Sequence, residues 1–196
     1  MKPTLIIIDM QKGFFLKEDL KRQENKLIQN INDLISVFRS SGLPIIWIKQ
    51  SMKLDLSDAP LGNRKSGKVE VPEGTEENNL LDGFYYKNTD IIVIKKRYSG
   101  FFKTDLEVVL DKLKPSHLVV CGINTHACVR TTVIDAYMRD YEVVVARECV
   151  GSYDQVHHDV SMKYFSPNIA QVMSNEEIEN LVISSKLVPL TPLCKQ

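Results

Sequence analysis

The chain has 196 residues, a length that suits one α/β domain and that can bury a full hydrophobic core without disulfides or metal ions. Lysine plus arginine equals aspartate plus glutamate at 25 each, so the formal net charge is zero and offers no attraction for nucleic acid or a membrane surface. We therefore predict one domain over residues 1–196 with no nucleic-acid or membrane partner. Because little net charge opposes self-association, we also expect a homo-oligomer, either a dimer or a tetramer.

The location of the protein is predicted from its apolar runs and its cysteines. The N-terminal apolar run, from Leu5 to Ile8, stops at Asp9 and is far shorter than the core of a signal peptide or a membrane span. The cysteines are sparse and form no CxxC pair, which is typical of reduced thiols. They are Cys121, Cys128, Cys149 and Cys194. Together these features predict a cytoplasmic protein.

Short apolar runs rich in β-branched residues recur along the chain. They show no alternation of polar and apolar side chains, which is typical of strands that are buried on both faces of a parallel sheet. The runs cover residues 4–9, 44–49, 90–95, 117–121 and 142–146, with a weaker one at 169–173. These six runs predict six parallel strands.

Helical patterns lie between the apolar runs. The first, residues 25–41, has apolar side chains at spacings of three and four and is followed by Gly42, a natural helix end. Further helices are predicted at residues 104–113, 128–140, 158–165 and 175–184. The alternation predicts a three-layer α/β/α fold with a six-stranded parallel sheet.

Two stretches depart from this alternation. Residues 53–77 are polar and rich in proline and glycine, and a loop of this length in a compact domain is usually functional or disordered. Residues 187–196 contain two prolines and are expected to form an extended tail. The long loop is therefore a candidate for shaping a ligand pocket.

Three reactive residues fall at the carboxyl ends of predicted strands, where open α/β sheets bind ligands. Asp9 closes the first strand, Lys95 closes the third, and Cys128 follows the fourth after a short turn. Taken singly, each has an ordinary explanation: Asp9 as a turn residue, Lys95 as a solvated lysine and Cys128 as a small buried hydrophobic residue. Their shared edge of the sheet makes them a candidate catalytic group.

The chemistry of this group is that of an activated thiol. Cys128 is predicted at a helix N-terminus, where backbone amides lower the pKa of a thiol and can also bind an oxyanion. Asp9 is placed to accept the thiol proton and Lys95 to stabilise the thiolate. Lys96 is the rival lysine, but alternation along a strand turns neighbouring side chains to opposite faces.

Three motifs surround these residues and read LIIIDMQKGFF from residue 5, KKRYSGFFKTDL from residue 95, and CGINTHACVRTTVIDA from residue 121. They resemble the isochorismatase-like cysteine hydrolases, the family that includes nicotinamidases and N-carbamoylsarcosine amidohydrolase. The resemblance implies a sheet order of 3-2-1-4-5-6. It also implies that Asp9 is the general base, Lys95 the catalytic lysine and Cys128 the nucleophile.

The resemblance further implies a cis peptide bond between Ile123 and Asn124, which would aim the amides of Asn124 and Cys128 at an oxyanion. One departure concerns metal. Nicotinamidases carry an Asp-x-His motif after the second strand, whereas this chain reads KQSMKLDLSD there and has no histidine before His117. We therefore predict no catalytic metal and no organic cofactor, and Cys128 disfavours vinyl-ether cleavage because isochorismatases that catalyse it lack the cysteine.

Pocket residues are predicted with alternatives left open. Gln11, Phe15 and Tyr98 are candidates for binding substrate, although such aromatic side chains are often core residues. His126 is either a pocket residue or part of a helix cap. The sequence predicts hydrolysis of a small amide or carbamoyl substrate through an acyl-enzyme on Cys128. The alternative is a non-catalytic or redox-responsive relative that binds a small ligand or a partner protein.

Overall fold

A computed structural model describes residues 2–184. The predicted extended tail and Cys194 lie outside the described residues. Six strands form one all-parallel sheet in the order β3-β2-β1-β4-β5-β6, which confirms the predicted topology. The strands are β1 (Thr4–Ile8), β2 (Ile45–Gln50), β3 (Ile91–Lys95), β4 (Leu118–Ile123), β5 (Val143–Gly151) and β6 (Gln171–Met173).

Helices cover both faces of the sheet and complete the predicted three layers. They are α1 (Glu18–Lys21), α2 (Glu24–Ser40), α3 (Leu61–Ser66), α4 (Leu106–Leu113), α5 (Arg130–Tyr137), α6 (Gln155–Asn168) and α7 (Asn175–Ser184). Apolar side chains of α2 and α7 pack in one core cluster, and those of α4, α5 and α6 pack in a second cluster on the other face. None of the helices in the described part of the chain has the length and apolarity that a membrane span requires.

The centre of the sheet brings the ends of β1 and β4 unusually close. Gly122 of β4 pairs with Ile8 of β1 and has a φ of 111°, a conformation that favours glycine. A Cβ atom added at Gly122 would lie 2.1 Å from the carbonyl oxygen of Ile8. The missing side chain therefore lets the chain segments that follow β1 and β4 approach each other.

Two local predictions need correction. The polar stretch 53–77 is not a plain loop, because it contains α3 and ends in a short 3-10 turn at Glu76–Asn78. The helix predicted to begin at residue 128 is preceded by a π-helical turn, Thr125–Val129, and α5 begins only at Arg130. Cys128 thus lies within the turn rather than at the first residue of the helix.

Candidate active site

The side chains of Asp9, Lys95 and Cys128 meet at the carboxyl edge of the sheet. Lys95 Nζ lies 2.8 Å from Asp9 Oδ2 and donates a hydrogen bond to Cys128 Sγ at 3.4 Å. The three residues are almost inaccessible, with exposed fractions of 1%, 0% and 5%. The structure therefore brings together all three residues that the sequence selected, in a site closed from solvent.

The backbone fixes Asp9 where β1 ends. Asp9 has a φ of 55°, which is uncommon outside glycine but is tolerated by aspartate. Its N–H donates to Ile48 O at 2.9 Å and its carbonyl accepts from Gln11 N at 2.8 Å. This turn directs the carboxylate away from the strand and across the sheet edge toward Lys95.

Polar side chains stabilise the π-helical turn that carries Cys128 through hydrogen bonds. The Ile123–Asn124 peptide bond that leads into it is cis. The Thr125 hydroxyl donates to Gly151 O at 2.9 Å and also contacts His158 Nδ1 at 2.9 Å. Because the hydroxyl has given its single proton to Gly151, His158 Nδ1 must be the donor in the second contact. His158 therefore supports the turn rather than the reaction itself.

A second set of hydrogen bonds ties the Cys128 turn to the segment after β3. The Thr132 hydroxyl donates to Cys128 O at 2.7 Å and accepts from Gly100 N at 3.0 Å. The Ser99 hydroxyl also donates to the carboxylate of Asp135 on α5. These contacts fix the position of the strand that ends in Lys95 relative to the helix that follows Cys128.

Burial dominates the electrostatics of Asp9 and Lys95. Desolvation raises the pKa of Asp9, and the adjacent Lys95 ammonium only partly opposes this shift. Desolvation pushes the pKa of Lys95 down, but the negative charge of Asp9, together with the hydrogen bond to Cys128, outweighs it, and the net shift is upward. The ammonium is thus firmly protonated, while Asp9 is a stronger base than an exposed aspartate.

The expected low pKa of the Cys128 thiol is wrong for this closed site. Burial raises the pKa of Cys128 to about 12, and the charge of Asp9 adds to that rise while Lys95 opposes it. Desolvation is the largest influence on this thiol, which is 5% exposed, and the amides of a helix terminus do not offset it. The resting site therefore holds a neutral thiol beside an ion pair.

Gln11 was predicted to bind substrate, but its side chain is not free to do so. Its Nε2 donates to Gln50 O at 2.8 Å and to Asn78 O at 2.9 Å, and its Oε1 accepts from Gln50 N at 2.8 Å. Phe15 is 2% exposed and packs in the core cluster of the α2 face, and substrate binding by Phe15 stays a prediction.

We expect Gln11→Leu to lower the free energy of unfolding by about 2 kcal/mol, because it leaves buried polar groups of Gln50 and Asn78 without their partner. Urea-induced unfolding followed by circular dichroism measures this change. Gln29→Leu is the matched control, since Gln29 is exposed and bonds only Asp33, and it should change stability by less than about 0.5 kcal/mol. Equal stability of the two variants would show that the hydrogen bonds of Gln11 with Gln50 and Asn78 contribute little to the free energy of unfolding.

Tyr98 and His126 lie closer to the protein surface than Asp9, Lys95 and Cys128. Tyr98 is 60% exposed and borders a surface cavity of about 540 Å³ together with Ser99, Phe102 and Thr131. His126 is half-buried, contacts Ser152 Oγ through Nδ1 at 2.7 Å, and lies edge-to-face with Tyr153 at 5.1 Å. Desolvation lowers the pKa of His126, so its imidazole is neutral at pH 7. Substrate binding by Tyr98 and His126 stays a prediction.

The sequence interpretation missed Gln50. This residue is buried and its Oε1 accepts a hydrogen bond from Lys95 Nζ at 3.1 Å. A signal was available, since Gln50 closes β2 just as Lys95 closes the neighbouring β3, and the two are register partners. A glutamine carries no reactive group, however, and was not considered.

No group of three or more histidine, cysteine, aspartate or glutamate side chains within residues 2–184 is arranged to hold a metal ion. The segment after β2, where nicotinamidases carry Asp-x-His, reads KQSMKLDLSD in this chain and contains no histidine. Gln50 and Ser51 offer only neutral oxygens, and Met52 only a thioether. Metal-independent hydrolysis accordingly stays a prediction.

Comparisons with known proteins identify the family to which the sequence is similar. A family model described as Isochorismatase domain matches residues 3–177, which confirms the resemblance found in the motifs. YecD of Escherichia coli O157:H7, an uncharacterized isochorismatase family protein, is 28% identical over 90% of this chain and 94% of its own.

Solved structures share the fold over nearly their full lengths. A cysteine hydrolase from Pseudomonas syringae pv. phaseolicola 1448A superimposes with a TM-score of 0.86 at 22% identity, covers 94% of both chains, and shows the fold alone. N-carbamoylsarcosine amidase from Thermoplasma acidophilum superimposes with a TM-score of 0.78 at 28% identity and covers 91% of this chain and 99% of its own.

Proposed function

The chain belongs to the isochorismatase family, and from that premise we propose that it is a hydrolase of small amides or carbamoyl compounds in which Cys128 is the nucleophile. The observation that carries the proposal is the contact of the Cys128 thiol with a buried Asp9–Lys95 ion pair. The similarity to an N-carbamoylsarcosine amidase supports the choice of substrate class.

The geometry supports a two-step mechanism. Asp9 takes the thiol proton as Sγ of Cys128 bonds to the carbonyl carbon, and the carbonyl π electrons move to oxygen. The amides of Asn124 and Cys128 are the proposed donors to this oxyanion. The C–N bond then breaks, the leaving nitrogen takes the proton from Asp9, and a thioester remains on Cys128.

Water completes the cycle. Asp9 removes a proton from a water molecule that adds to the thioester carbonyl, and the C–S bond breaks as the acid is released. The sulfur regains the proton from Asp9, which restores the neutral thiol of the resting state. Lys95 stays protonated throughout and stabilises the negative charge as it moves between Asp9 and the sulfur.

Incubation with a panel of small primary amides and N-carbamoyl compounds tests the proposal. We expect release of ammonia or amine, and a transient acyl adduct that intact-protein mass spectrometry detects and peptide mapping assigns to Cys128. If ligands of the panel bind without turnover or adduct, the non-catalytic binding function becomes the better interpretation. The raised pKa and burial of Cys128 already disfavour the redox-responsive alternative.

We expect kcat/KM to fall on acidification at a pH above the ordinary range of an aspartate. Asp9 must be ionised to accept the thiol proton, and burial raises its pKa, so activity is present above that raised pKa and is lost as the pH falls through it. A pH profile with any amide that is turned over measures this limb. An acid limb at the ordinary pKa of aspartate would contradict the assignment of a buried Asp9 as the base.

A further inference from the structure

Gln50 occupies a position from which it can direct the Lys95 ammonium. It is 6% exposed and its side-chain oxygen accepts from Lys95 Nζ at 3.1 Å. The backbone oxygen of Arg97 accepts from the same nitrogen, also at 3.1 Å. Two uncharged oxygens therefore accept hydrogen bonds from the same nitrogen that contacts Asp9 and Cys128.

The ammonium has fewer protons than acceptors. Nζ carries three N–H groups, and four acceptors surround it. It donates hydrogen bonds to the oxygens of Gln50 and Arg97 and to Cys128 Sγ at 3.4 Å. Asp9 Oδ2 lies closer, at 2.8 Å, but it pairs with the ammonium by charge and receives no hydrogen bond from it. Loss of the Gln50 acceptor would free one N–H to turn toward Asp9 and would draw the ammonium away from the sulfur.

The backbone of Gln50 is rigid on both sides. Its N–H donates to Gln11 Oε1 at 2.8 Å, and its carbonyl accepts from Gln11 Nε2 at 2.8 Å and from Asn78 Nδ2 at 3.1 Å. All three residues are buried. The side-chain oxygen of Gln50 thus projects from a backbone that has little freedom to move, which makes it a fixed reference for Lys95.

We propose that Gln50 is a positioning residue that holds the Lys95 ammonium between Asp9 and Cys128 and thereby sets how readily the thiol ionises. The inference deepens the proposed function and rests on it for its catalytic meaning. Without the Gln50 oxygen, Nζ moves toward Asp9, the nearer and charged acceptor, and its contact with the sulfur weakens. The effect on Cys128 passes entirely through Lys95.

Alkylation of Cys128 by iodoacetamide at pH 9, followed by peptide mapping, tests this without any substrate. Only the thiolate reacts, so the rate reports ionisation. We expect Gln50→Met, which keeps the length of the side chain and removes the acceptor, to slow alkylation about threefold to tenfold. Gln29→Met on the exposed face of α2 is the control and should leave the rate unchanged.

A double-mutant cycle separates positioning from a general loosening of the site. The second background is Asp9→Asn with Lys95→Met, which removes both charges together and so avoids leaving one of them buried without a partner. In that background Gln50→Met should have no effect on the rate. Equal slowing in both backgrounds, or no slowing in the wild-type background, would overturn the proposal. Failure to turn over any amide would count against the proposed function, but it would not affect the alkylation rates that this cycle compares.

Discussion

Cys128→Ala is expected to abolish turnover, lowering kcat by at least about 10⁴-fold, because it removes the thiol on which we propose that the acyl-enzyme forms. The fold should survive, since the substitution removes one sulfur atom next to a site that must open to admit substrate. Ammonia release with an amide identified in the panel measures the loss. Cys128→Ser should retain little activity, because a hydroxyl is a much poorer nucleophile at the same base.

Cys149→Ala is the matched control for this prediction. Cys149 is as buried as Cys128 and contacts Asn175 Oδ1 at 3.1 Å, but it lies on the core face covered by α2 and α7. It should keep full activity with a modest loss of stability. Burial raises the pKa of the thiols of Cys121 and Cys149 as well, and no ammonium opposes the rise there as Lys95 does at Cys128. We therefore also expect Cys128 to alkylate first among these three. An active alanine variant at position 128 would remove the thiol from the mechanism.

Asp9→Asn is expected to affect both activity and folding. The substitution removes the proposed base, which should lower kcat about 10²-fold to 10⁴-fold, and it leaves the Lys95 ammonium buried without an anion. Breaking a buried ion pair in this way destabilises a protein by about 3–5 kcal/mol. Chemical denaturation and steady-state kinetics on the same sample measure the two losses.

The ion pair between Asp58 and Lys96 supplies the control. Its atoms lie 2.8 Å apart, but the side chains are 23% and 34% exposed, so Asp58→Asn should change stability by no more than about 1 kcal/mol and leave kcat unchanged. Adding Lys95→Met to Asp9→Asn should recover stability but not activity, because the remaining charge is removed while the base is still missing. Recovery of activity in the double variant would refute the role of Asp9.

The sequence was sufficient to predict the sheet and the three reactive residues, for a common physical reason. Buried parallel strands must be apolar on both faces, so each strand end is marked where a polar residue such as Asp9 or Lys95 first appears. Parallel strands end at one edge, which makes sequence-distant residues neighbours. Residues 53–77 could not be interpreted in this way, because the short helix α3 buries none of its residues and so shows no apolar period in the sequence.

The sign of the Cys128 pKa shift was not predictable from local sequence. A helix terminus acts through a few nearby amides, whereas desolvation depends on every segment that covers the thiol, and its contribution is the larger one here. Gln11 was misjudged for a related reason. A polar side chain near a catalytic aspartate is equally consistent with binding substrate and with bonding the backbone of a neighbouring strand, and only the packed structure distinguishes the two.

The buried, protonated thiol has a consequence for how inhibitors of this protein are to be found. Because burial raises its pKa, the Cys128 thiol is almost entirely protonated at neutral pH. Proteome-wide surveys that rank cysteines by reactivity toward general electrophiles would therefore place it near the bottom. Carbonyl and nitrile warheads that occupy the amide position should succeed instead, because they let Asp9 remove the proton while the new bond forms.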